Sequence, residues 1–260
     1  MSRMTLDRLP PEIADADNLP SPPAVALQVM RLADDPNALA EDLGQVIRQD
    51  PALTARLLRT VNSAATGLPR SIDSIERACA LLGFPTAKTL AIGFAVADSM
   101  PVVGPDTGFD LEQYWMRSGL TASAAELFAR QVSPDDADVA FVVGLLSEMG
   151  RLVLAGCLTS VYKTILVGNP WPSPADERAQ LGFSNLDLSA ALFNSWSVPE
   201  EIVGPIAYRE VPDHLPEGTS PSVVRQCRIL ATAEVLAGVW ASGAAERDLN
   251  WAGGAAAHYL

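Results

Sequence analysis

Few residues in this sequence have both the type and the spacing for chemistry. The two histidines, His214 and His258, fall late in the chain. His214 lies in the Pro-rich stretch from Val211 to Pro221 and His258 close to the end, where solvated side chains are the simplest reading. Imidazole beside carboxylate is the donor set that holds transition metals and activates water against a phosphate ester. That set has no early histidine to start from. The three cysteines, Cys79, Cys157 and Cys227, are far apart, form no CxxC pair and sit in apolar helical patterns. They read as small buried hydrophobes in a reducing cytosol, not as zinc ligands. Ser147 has no histidine near it, so Ser-His nucleophilic catalysis fails. Gly104-Pro105-Asp106-Thr107-Gly108 lacks the lysine and the preceding strand of a phosphate-binding loop. Asp50 and Asn62 suit a ligand contact, but capping of a helix and of the loop after it explains both.

The elements that must position these residues are helices. Ser21-Pro22-Pro23 opens one, with Val25, Val29 and Leu32 on a face, and Leu39, Leu43, Val46 and Ile47 mark a second. Asp50 caps a third, Pro51 fits its first position, and Leu53, Leu57, Leu58 and Val61 make its apolar face. Asn62-Ser63 leaves that helix, and Gly67, Pro69 and Arg70 form a turn. Ile75, Cys79 and Leu82 face inward on the next, which Gly83 stops. The small apolar run to Asp98 predicts a buried helix. Pro101 to Gly108 carries two Pro and two Gly and is the best internal boundary. Beyond it Asp110 caps a helix to about Gln131. The small residues Ser118 to Ala125 in its middle would let another helix approach closely. Further helices are expected from Pro134, over Arg151 to Val167, and over Ala175 to Leu181. Others contain Leu188 to Trp196, begin at Pro199, begin at Ser220-Pro221, and lie near Glu246 to Trp251. Trp171, in the turn Pro170 to Pro174, is expected to be buried against the bundle, with an exposed interaction anchor as the alternative. No period-2 alternation is long enough for a sheet.

Hydrophobic residues make up 48% of the 260, enough for a substantial core. The formal charge is −13, with 18 Lys+Arg against 31 Asp+Glu and no basic run. A duplex-binding surface needs a basic stripe, so nucleic acid is excluded as a partner, and the same charge opposes an anionic membrane. No signal-peptide h-region is visible and no stretch of about 18 residues is apolar throughout. A cytoplasmic protein is expected.

The pattern resembles the HDOD family, a non-catalytic relative of the HD phosphohydrolases. The residues that carry the resemblance are Leu19-Pro20 with Pro22-Pro23, Asp50-Pro51-Ala52-Leu53, Leu57-Leu58, Asn62-Ser63, Gly67-Leu68-Pro69, Ile72 and Ala80-Leu81-Leu82-Gly83. The resemblance implies an all-α fold of two packed helical lobes, the C-terminal one an HD-domain-like bundle. The expected organisation is an N-terminal arm over residues 1–18 and an HDOD domain over 19–210. That domain divides into lobes at about 19–100 and 109–210, and residues 211–260 form a C-terminal helical extension. Asp50, Pro51, Asn62, Ser63 and Gly83 are its structural motif residues.

Active HD relatives hold metal with histidines and a His-Asp pair. By the resemblance, Arg117 stands at the place of the first histidine, and Ser147-Glu148 at the His-Asp pair. Asn185 stands at a further histidine, and Tyr208-Arg209-Glu210 covers a last histidine-bearing stretch. A guanidinium does not bind a divalent ion. No metal and no cofactor are therefore expected, and Arg117, Ser147, Glu148 and Asn185 are read as a vestigial pocket with an Arg117–Glu148 ion pair. The resemblance implies a regulatory, signal-transduction module of bacterial type that binds a signalling protein. The pathway would be two-component or cyclic-di-GMP, and the module could also be a homo-oligomer. No receiver domain follows in the sequence, so the partner is expected to be a separate protein. Two alternatives stay open. One is a divergent nucleotide phosphohydrolase using Glu148, Asp187 and Mg2+. The other is a sensor that takes a small anion on Arg117.

Overall fold

The computed structural model describes residues 9, 20, 23–33, 35, 37–62 and 71–241. Every regular element among them is a helix. The chain divides by contacts into two units, of those described residues 23–99 in one and residues 9, 20 and 100–241 in the other. The expected arm over residues 1–18 (save Leu9), the motif residue Ser63, the Gly67–Arg70 turn, the helix near Glu246 to Trp251 and His258 lie outside the described residues.

In the first unit the helices are α1 (Ala24–Ala33), α2 (Ala40–Ile47), α3 (Pro51–Val61), α4 (Ile75–Leu82) and α5 (Phe84–Asp98). Local chemistry sets their ends. The Asp50 carboxylate accepts from the N–H groups of Ala52 and Leu53, each at 3.0 Å, and Pro51 occupies a position where no N–H is needed. Leu53, Leu57 and Val61 then bury one face of α3. At the far end, Asn62 donates to the Ile72 carbonyl and accepts from the Ile72 N–H, each at 2.7 Å, which ties two positions ten residues apart. Ser74 caps α4. Gly83 joins α4 to α5 with φ of +76°, a region that side chains with a Cβ rarely adopt. Helix α5 is buried without a break from Thr89 to Ala97, and α1, α2, α3 and α4 all pack on it.

In the second unit Asp110 caps α6 (Leu111–Val132), accepting from Gln113 N at 2.8 Å. Helices α7 (Ala137–Leu146) and α13 (Pro221–Ala241) lie along it. Their closeness follows from small side chains: Ala124, Ala125 and Ala129 of α6 meet Ala137 and Ala140 of α7 and Ile229 and Ala233 of α13 in one buried cluster. The expected extension over residues 211–260 thus contains a helix that is built into the bundle, packing on α6, α7 and α12 (Glu200–Tyr208). The helix expected over Arg151 to Val167 is two, α8 (Met149–Cys157) and α9 (Thr159–Leu166), broken at Leu158. Helices α10 (Pro174–Leu181) and α11 (Asn185–Ser195) complete the unit. Gly150 lies inside α8, where a Cβ would collide with the Asn185 carbonyl of α11, and its N–H donates to Ser189 Oγ at 2.8 Å. The glycine allows a close helix crossing; the chain breaks just before it, at Ser147-Glu148.

By length and composition Pro134–Cys157 could cross a membrane, its best window having a mean hydropathy of 1.7. Because 72% of that window is buried inside the fold, its apolar character is accounted for by the core.

Candidate functional site

The site is built around the break between α7 and α8. Glu148 precedes the first turn of α8, and Arg151 follows one turn later on the same side, so the two side chains meet. Arg151 is 2% exposed and every arm of its guanidinium is used. Nε donates to Glu148 Oε2, Nη1 to Glu177 Oε1 at 2.9 Å and to the Tyr162 hydroxyl at 3.1 Å, and Nη2 to the Pro172 carbonyl at 2.8 Å. Glu177, of α10, is wholly buried. Its Oε1 also accepts from the Tyr162 hydroxyl at 3.0 Å, and its Oε2 accepts from the backbone N–H and side-chain amide of Asn185 at 2.6 and 2.8 Å. On the other side Arg209, at the end of α12, donates to Glu148 Oε1 and to the Ser147 carbonyl, and its Nε to Glu234 Oε2 of α13 at 2.8 Å.

Four helices, α8, α10, α12 and α13, therefore contribute to one buried chain of charges, running Glu177–Arg151–Glu148–Arg209–Glu234. Burial would raise the Glu148 carboxyl, but Arg151 and Arg209 overcome it and hold Glu148 below the usual carboxylate range. Burial would likewise lower Arg151, and Glu148, Tyr162 and Glu177 raise it instead. Glu234 differs. Burial dominates, Arg209 opposes it only in part, Glu148 adds to it, and the carboxyl is pushed up to about 7. Its Oε1 is buried without a hydrogen bond of ordinary length.

A cavity of about 270 Å3 opens beside this chain, with Arg117, Glu148, Trp171, Arg209 and Glu234 among its walls. Trp171 is half-buried, and two guanidiniums stand over its ring, with the Cζ atoms of Arg117 and Arg151 at 4.4 and 4.6 Å from its centroid.

The residues named from sequence fall as follows. Arg117 and Glu148 line the cavity, but they do not form the expected pair: both oxygens of Glu148 are taken by Arg151 and Arg209, and Arg117 rests on Trp171 instead. Ser147 is wholly buried behind the cavity, with its hydroxyl donated to the Gly144 carbonyl at 2.9 Å. Asn185 is also buried away from the wall and fixes Glu177. Asp187 is remote from Glu148 chemically, engaged in capping α11 and in an ion pair with Arg178 at 2.9 Å, which removes the proposed Glu148–Asp187 oxygen site. Asp50, Pro51, Asn62 and Gly83 lie in the other unit as caps and a turn. The sequence reading missed Arg151, Glu177 and Glu234. Arg151 carried a usable signal, a lone cation inside an apolar run with an acid three residues before it.

The donor set does not fit a divalent ion. Arg151 and Arg209 take both oxygens of Glu148, Arg209 also holds Glu234, and no group of three or more His, Cys, Asp or Glu side chains among the described residues is placed to hold a metal. A guanidinium is a permanent cation with no lone pair to give.

Every regular element among the described residues is a helix, and the second unit encloses a charge-filled pocket. The HDOD domain model matches residues 19–212, and the chain belongs to the HDOD family. In solved structures it is similar to a "Putative phosphohydrolase" from Shewanella amazonensis SB2B, at 24% identity and a TM-score of 0.71, covering 94% of this chain and 86% of the other. It is similar too to an HDOD domain protein with unknown function from Geobacter sulfurreducens (24% identity, TM-score 0.65, 83% and 72% covered). A "Putative signal transduction protein" from Marinobacter aquaeolei VT8 matches at 25% identity and a TM-score of 0.65, over 97% of this chain and 58% of its own. An uncharacterized protein of Treponema pallidum (strain Nichols) is 25% identical over 226 residues, which is 83% of this chain and 42% of that one, so the chain spans less than half of that relative's length.

Proposed function

We propose that this chain is a non-catalytic signal-transduction module that acts by binding another protein. The observation that carries this reading is the Arg151–Glu148–Arg209 arrangement. The resemblance places metal-binding residues of active HD relatives at positions 117, 147–148 and 185 and within 208–210; Arg117, Ser147, Glu148, Asn185 and Tyr208-Arg209-Glu210 stand there, and Glu148 is already engaged by Arg151 and Arg209. Activating water against a phosphate ester needs a Lewis acid or a free base, and Glu148 is neither free nor basic. The likeness to a signal-transduction protein favours the same reading. The unpaired cysteines suit a cytoplasmic setting.

The test is a hydrolysis assay with bis(p-nitrophenyl) phosphate and a nucleotide panel after loading with Mn2+, Fe2+ or Mg2+. The expected rate is that of the protein-free blank. Turnover that disappears in Glu148→Gln would sink the proposal.

A further inference from the structure

Arg117 is the one member of the site whose charge the fold leaves unmet. Arg151 and Arg209 give their N–H groups to Glu148, Glu177, Glu234 and backbone carbonyls. Glu210, also at the cavity wall, is paired with Arg178 at 2.7 Å. The Arg117 guanidinium is half-buried and makes no hydrogen bond or ion pair to any described residue; it stacks on Trp171 and faces the cavity. Burial lowers its pKa, and Arg151 lowers it further, so the fold holds this cation at a cost that Glu148 and Glu234 offset only in part. A desolvated cation with five unused donors is stabilised strongly by an anion that fits the fork.

We propose that this cavity binds a small organic oxyanion, a phosphate ester or a carboxylate, through the Arg117 guanidinium held against Trp171. The proposal rests on the reading above only in that the pocket is not a metal centre. Size suits a small ligand. The cavity of about 270 Å3 is open on one side and accommodates the charged head of a small anion of about nine heavy atoms. Charge permits it. Glu148 is balanced on both oxygens, and Glu234, with its carboxyl raised to about 7, is partly neutral near neutral pH. The oxyanion would supply the counter-charge that Arg117 does not find within hydrogen-bond distance among the described residues.

The experiment is calorimetric titration of the full chain, at fixed low ionic strength, with sn-glycerol 3-phosphate and with malate, each near the cavity's size, and with glycerol as the neutral control. One of the two anions is expected to bind, and the better one tells phosphate from carboxylate. Arg117→Ala is expected to weaken binding by about tenfold or more, the loss of charge-assisted hydrogen bonds. Arg117→Lys keeps the charge without the fork and should fall between. Should the alanine variant fail to fold, the side-chain Nε–H resonance of Arg117, identified as the one absent from the lysine variant, is followed in the wild type and should move on titration. No binding of either anion at 10 mM, equal binding by Arg117→Ala, or an unmoved Arg117 resonance would each overturn the site. Hydrolysis of the glycerol phosphate would instead remove the non-catalytic reading and leave the binding site standing.

Discussion

The two units spend their polar residues differently. In residues 23–99 the polar side chains that matter sit at helix ends and near water: Asp50 caps α3, Asn62 clasps Ile72, and the ion pairs Arg48–Glu76 and Arg56–Asp98 are at least partly exposed. Residues 100–241 carry exposed pairs too, such as Arg130–Glu126 and Arg228–Asp213, but they also hold a charge network inside. Arg151, Glu177 and Arg209 are each 4% exposed or less and depend on one another for solvation. An exposed pair is worth about 0–1 kcal/mol, whereas removing one partner of a buried pair costs about 3–5 kcal/mol, because the other is left charged and dry. A cap lies between, at about 1 kcal/mol. The comparison teaches that both units use polarity to fix helix ends, as Asp50 and Asp110 do, and that the second also uses it to fill a pocket.

The sharpest way to break that contrast is Arg151→Met, which keeps the apolar stem and removes the charge. It strands Glu177 with no cation and leaves Glu148 with one. A loss of about 3–5 kcal/mol is expected in urea unfolding, larger than for any exposed charge of the first unit. Adding Glu177→Gln to it should return part of the loss, since the uncompensated charge is then gone. A loss under about 1 kcal/mol would mean that water reaches the network and that the two units are alike.

Glu234 sharpens the comparison through pH. Its folded-state carboxyl, raised chiefly by burial, holds a proton up to about 7, while the unfolded chain releases it near 4.5. Between those values the folded state binds more protons, so this group's contribution is present at low pH and is lost as pH rises through the window. Relative to Glu234→Gln, which keeps the hydrogen bond to Arg209 and cannot ionise, wild type should lose up to about 3 kcal/mol between pH 4.5 and 7. Parallel stability curves for the two proteins would show that Glu234 titrates normally.

The all-helical fold was legible because capping residues and apolar spacing act locally. Asp50-Pro51 and Asp110 each start a helix where the sequence places one. Of the residues read as a pocket, Arg117 and Glu148, far apart in sequence, line one cavity, whereas Ser147 and Asn185 do not. The partners of Arg117 and Glu148 were not legible. The Arg117–Glu148 pair fails because Arg151 is one helical turn from Glu148 and Arg209 approaches from another helix, so the nearer cations win. Glu177 sits in Pro-Ala-Asp-Glu-Arg, which reads as a solvated helix start, and only the packing of α10 against α11 makes it a buried acceptor.

The smallest effect is predicted for Asp50→Ala, in the unit where polarity is conformational. The carboxylate satisfies two of the free N–H groups at the start of α3, those of Ala52 and Leu53, and nothing else in the described residues accepts from them. These groups are near the surface, so water replaces the lost acceptor and the cost is about 1 kcal/mol, the ordinary worth of a cap. Asp50→Ser, which restores an acceptor of similar reach, should recover most of it. The loss should be independent of Glu234 protonation, because the cap and the charge chain lie in different units and share no partner. A loss above about 3 kcal/mol, or one that changes with Glu234→Gln, would show that this motif residue does more than start a helix.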